Sequence, residues 1–103
     1  MEVLSRGTTP TLTFKIPYSA SDVADGWVTF KQYDSIMLDK RITDDGVTIN
    51  DNSIEVALTQ DETLKLYASV CMVQLRLKLA NGNAVASGIV SVDIGEIIKD
   101  GEI

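Results

Sequence analysis

Three features of this 103-residue sequence predict an all-β fold, a single antiparallel β-sandwich of about seven strands and immunoglobulin-like size. Apolar residues recur with period two along most of the chain. Turn signals rich in glycine, asparagine and aspartate punctuate those runs every ten residues or so. Only one stretch carries a helix-start signature, so one short helical turn is expected.

The elements follow in order. Residues 11–16 alternate, with Leu12, Phe14 and Ile16 on one face and Thr11, Thr13 and Lys15 on the other. Pro17 ends that strand because it offers no ladder N–H. Residues 18–26 connect, with Ser21 or Asp22 expected to cap a short turn. Residues 27–33 and 36–42 read as a hairpin about Asp34-Ser35. Val28 and Phe30 point inward in the first strand, and Ile36 and Leu38 in the second. Lys40 falls on the inward parity and weakens the pattern.

Asp44-Asp45-Gly46 is a turn, followed by a short strand at 47–49 and another turn at 50–52. Residues 53–59 put Ile54, Val56 and Leu58 inside. Thr59 followed by Glu62 matches a capping box, and a helical turn over about 60–66 should dock Leu64 or Leu66 on the core. Residues 69–80 make the longest strand, with Cys71, Val73, Leu75, Leu77 and Leu79 on one face. Asn81-Gly82-Asn83 turns it into a last strand at 84–94, on which Ala84, Ala86, Gly88, Val90 and Val92 share a parity. Gly88 there predicts a bulge or a close backbone approach.

Composition excludes whole classes of chemistry. There is no histidine, which removes His-based general bases, Ser-His-Asp and Cys-His triads and almost all catalytic zinc sites. The formal charge of -6 argues against nucleic acid or an anionic membrane as partner. No apolar run reaches the roughly 18 residues of a membrane helix. The single cysteine, Cys71, has no internal disulfide partner and reads as a buried small hydrophobe. Residues 1–6 lack a basic start and an apolar stretch, so synthesis and folding in the cytoplasm are expected. No enzyme, cofactor or metal is expected. The acids Asp44, Asp45, Asp51, Glu55, Asp61 and Glu62 run without an intervening cation. The two turns among them would offer oxygens to calcium if they met at one end of the sandwich, but solvated turns are the better reading.

The candidate interface residues are Trp27, Ile97, Ile98 and Ile103. Trp27 has the parity opposite Val28 and Phe30, so it either faces out or caps the edge of the core. With Tyr18, Tyr33 and Tyr67 it would form a platform for sugar rings. The isoleucines lie outside the strands, in residues 95–103. That segment either folds back on the sandwich or docks on another subunit. Arg6 either anchors the N-terminal segment through carbonyls or an acid, or stands exposed. The domain is expected to span 1–103, with a core over about 6–94 and mobile ends at 1–6 and 95–103.

A family pattern runs through these elements. Arg6-Gly7-Thr8, Phe14 and Thr29-Phe30-Lys31 come first, then Gly46-Val47-Thr48-Ile49, Val56, Leu58-Thr59 and Thr63-Leu64. Val73-Gln74-Leu75-Arg76-Leu77, Asn81-Gly82, Gly88, Val90 and Val92 follow. The order resembles the N-terminal domain of phage baseplate upper proteins and related short prophage tail proteins, from Arg6 to about Ile94. The resemblance implies a structural part of a phage or prophage tail or baseplate. Such a part docks on other tail proteins, often as a symmetric homo-oligomer, and resides in the virion. It supplies no catalytic residue. Baseplate upper proteins carry a long second part, whereas this sequence stops at Ile103, which leaves open a fragment or a short stand-alone member. The alternative is a carbohydrate- or ligand-binding sandwich module carried by Trp27 and the tyrosines.

Overall fold

The computed structural model describes residues 2–103. Its strands are β1 (Glu2–Ser5), β2 (Thr11–Lys15), β3 (Val23–Gln32), β4 (Ser35–Arg41), β5 (Val47–Asn50), β6 (Ser53–Ala57), β7 (Val70–Leu79), β8 (Ala84–Ala86) and β9 (Val90–Gly95). A 3-10 turn covers Ala20–Asp22, and helix α1 covers Gln60–Leu64. The fold is all-β. A larger sheet has the order β1-β9-β7-β3-β4, with β8 also on β7; a smaller one has the order β2-β6-β5.

The larger sheet is mixed rather than antiparallel throughout, because β1 runs parallel to β9. Residues 2–5 fall in the end expected to be mobile, and instead they pair with 92–95 (Met1 lies outside the described residues). Buried Leu4 explains why this segment is held, since it joins the core.

One apolar cluster joins the two sheets. Val28, Phe30, Val73 and Leu75 come from the larger, and Leu12, Ile54 and Val56 from the smaller. Burying side chains of this size contributes about 1.5–3 kcal/mol each. Period two placed nearly all of them correctly, including fully buried Cys71. The misplacements all come from extra residues. Phe30 pairs with Leu38 but Lys31 with Ile36, so Met37 is a bulge. Ile36 is therefore exposed, and Met37 packs against the core. Likewise Arg76 pairs with Ala86 but Val73 with Val90, one residue too many on the second strand. The expected single last strand is thus broken into β8 and β9, with the parity reversed in β8. Val85 packs on the core, and Ala84 and Ala86 face out. The Ser87 hydroxyl closes the break by accepting the Leu75 N–H at 3.0 Å.

Local caps hold the connections. Ser19, rather than Ser21 or Asp22, takes the N-cap position, and its N–H and hydroxyl donate to the Asp22 carboxylate at 3.3 and 3.0 Å. The Thr59 box is formed, Glu62 N–H donating to Thr59 Oγ1 at 3.2 Å and Thr59 N–H to Glu62 Oε1 at 2.9 Å. Lys40, the inward lysine of β4, is buried because its ammonium reaches the same carboxylate at 2.9 Å. Burial pushes the Glu62 carboxyl up, but the bonds from Lys40 and Thr59 outweigh it and hold it below its ordinary value.

Candidate interaction surface

Strand β3 runs between β4 and β7 through the middle of the larger sheet. Its alternation sends Val28 and Phe30 into the core, so Trp27 and Thr29 face outward. Trp27 is 41% exposed, in register with Arg41 on one side and Arg76 on the other. The Arg41 guanidinium lies 5.7 Å from the centre of the indole, within cation–π range. The same guanidinium grips Asp25 with two bonds, Nε to Oδ1 at 3.0 Å and Nη2 to Oδ2 at 2.6 Å. Arg41, aided by the Gly26 N–H, holds the Asp25 carboxyl down at about 2.

Gly26 makes the arrangement possible. A Cβ there would lie 2.6 Å from the Arg76 carbonyl oxygen and 2.7 Å from Leu77 Cδ2. Only glycine lets the two backbones approach this closely, directly beside Trp27. A second row on the same face carries Ile36, Lys31 and Met72 in cross-strand register. Val70 is exposed one step further along β7. Lys31, Arg41, Arg76 and Lys78 give this face four of the nine cations of a chain whose net charge is -6. Its acids are Asp25, bound to Arg41, Asp39, which accepts the Thr29 hydroxyl at 2.8 Å, and Asp93, opposite Val70.

The three isoleucines lie elsewhere. Arg6 donates Nε to the Leu66 carbonyl at 2.8 Å and Nη2 to the Leu64 carbonyl at 3.0 Å. It also bonds Glu96 at 2.6 Å and approaches Asp100 at 3.4 Å. Of the two roles open to Arg6, the structure shows the anchor. The Ile97 N–H and Arg6 hold the Glu96 carboxyl below its usual range. Ile97 is half-buried over Gly7, where a Cβ would lie 2.9 Å from Ile97 Cδ1. The Gln60 side-chain amide clasps the Ile103 backbone with bonds of 2.8 and 3.2 Å. Segment 96–103 therefore folds back on α1, while the side chains of Ile98 (107%) and Ile103 (97%) stay fully exposed. Trp27 is not beside them. The Ile94 N–H meets Ser69 at the start of β7, seven residues from Arg76, a separation of roughly 23 Å along a strand.

The four aromatic residues do not form one platform. Tyr33 and Tyr67 stack edge to face with centroids 5.5 Å apart. Tyr33 is six residues from Trp27, roughly 20 Å along a strand. Tyr18 bonds Asn52 beside the β5–β6 turn. One face of the indole is already taken by Arg41. The acidic turns do not meet either, since 44–46 and 51–52 lie at opposite ends of β5. Asp44 accepts the Arg41 N–H and Asp51 the Ala20 N–H, each at 2.9 Å. Burial pushes the Cys71 thiol up to about 11, the mark of an inert core cysteine.

Sequence reasoning missed the outer-face residues Ile36, Val70 and Met72. Met72 carried a signal, an apolar side chain on the same parity as Gln74, Arg76 and Lys78. Ile36 carried none, because the bulge at Met37 inverts its parity. No family model matches the sequence, and no curated protein matches it.

Proposed function

We propose that this chain is a structural docking component of a phage or prophage tail or baseplate, acting without catalysis. The outer face of the larger sheet carries the reading. It presents a braced tryptophan among arginines and a methionine, the composition that dominates binding energy at protein interfaces. The tail attribution rests on the ordered sequence resemblance between Arg6 and Ile94. On that basis we read the two sheets as the layers of a β-sandwich and place the chain in the virion after synthesis in the host cytoplasm. Symmetric assembly would let individually weak contacts suffice through avidity. The carbohydrate alternative is less favoured, because the aromatics are dispersed and Arg41 covers an indole face.

The test is affinity capture from a lysate of prophage-induced cells. Tagged wild-type chain should retain tail or baseplate proteins, and Trp27→Ala should lose them while keeping its circular dichroism spectrum. A chain ending at Gly95 separates the contribution of Ile98 and Ile103. Equal capture by Trp27→Ala would remove the outer face from the account.

A further inference from the structure

Strand β2 has a partner on one side only. Leu58 N–H donates to Pro10, and Ile16 N–H to Asn52, so the even-numbered residues of this strand bond to β6. Alternation then turns the N–H and C=O groups of Thr11, Thr13 and Lys15 to the other edge. Among the described residues no backbone or side-chain group bonds them there. That edge opens on a cleft of about 510 Å³ between β2 and residues 87–92. Leu12, Phe14, Val73, Leu75 and Val92 supply its apolar walls, and Ile89 and Val90 stand exposed at its rim. An unpaired edge beside an apolar cleft fits an added β-strand.

We infer that a second copy of this chain supplies that strand, β2 pairing antiparallel with β2 of its partner about a two-fold axis at Thr13. Three features bear on a second copy. The edge is self-complementary: Thr13 faces Thr13, and Thr11 faces Lys15 in both directions, each pair exchanging two backbone bonds. The cleft's charge opposes pairing only weakly. Among the described residues Lys15 is the only charged one lining the cleft, and no carboxylate lines it, in a chain whose net charge of -6 makes two copies repel elsewhere. Lys15 meets a threonine rather than its own copy, and the two lysines lie about 13 Å apart along the ladder, beyond the screening length of about 8 Å. Finally, the two clefts come to face one another across the axis, so the exposed rims at Ile89 and Val90 lose water together. This deepens the docking reading by naming one partner and rests on it only in treating the chain as an assembling part.

Sedimentation of the full chain tests it. The mass should double from 11.2 kDa with concentration, while the Thr13 and Lys15 amides become protected from hydrogen exchange. Thr13→Lys sets two cations opposite each other on the axis and should give a folded monomer with an unchanged circular dichroism spectrum. Thr13→Cys should form an inter-chain disulfide on mild oxidation, since directly paired Cα atoms about 5.5 Å apart suit one. Thr29→Cys on the outer face should not. Buried Cys71 stays silent. A wild-type chain that is monomeric at its solubility limit overturns the pairing. So does a dimer that survives Thr13→Lys, or one joined by Thr29→Cys instead. If Thr13→Lys does not fold, the wild-type exchange pattern and the Thr13→Cys crosslink decide. A monomer that still captures tail proteins refutes this pairing alone, whereas a dimer that captures none refutes the tail assignment alone.

Discussion

Trp27 is held on one face by chemistry from the neighbouring strand. Arg41 lies against the ring and is itself fixed by Asp25. The low Asp25 carboxyl value has a consequence for pH. A carboxyl depressed in the folded chain favours folding above its unfolded value of 3.8, and loses that contribution as pH falls through about 2. An NMR titration should therefore give Asp25 a midpoint near 2, and Arg41→Ala should return it toward 3.8. A wild-type midpoint already at the ordinary value would mean that the guanidinium does not brace the indole. Gly26 belongs to the same arrangement, because any side chain there would push β3 from β7 next to Trp27.

The connections between strands depend on a few caps, and the clearest is Thr59. Replacing it by alanine removes the acceptor of the Glu62 N–H and should lower the urea-unfolding free energy by about 1 kcal/mol. An unchanged midpoint would show that α1 is held by Leu66 and Lys40 alone. This element was legible in the sequence, as were β2, β6 and β7, because a capping box and strict alternation are local signals. What stayed hidden was non-local. The bulge at Met37 reverses a parity that nothing in its strand marks, whereas the extra residue near Ser87 falls beside Gly88, the glycine whose place in the strand predicts a bulge. The parallel partner of β1 comes from the far end of the chain, so no local pattern announces it. At the candidate surface, Trp27 was legible through its parity, and Ile98 and Ile103 as apolar residues without a strand. Ile36 and the arginine brace emerged only from cross-strand register.

The whole molecule combines a single apolar core with two kinds of unfinished surface. One is the outer face around Trp27, and the other a free strand edge beside a cleft. The chain has no histidine, and its one cysteine is buried with the thiol pushed up to about 11. On the proposed reading these surfaces serve assembly, and a two-fold pairing at β2 would leave both outer faces free for other partners. The most direct measurement of the central claim is quantitative mass spectrometry of particles purified after prophage induction, with wild-type chain and with Trp27→Ala. The account predicts the wild-type chain in the particles at a stoichiometry matched to tail proteins, and its loss in the variant. Well-formed particles without the wild-type chain would contradict it.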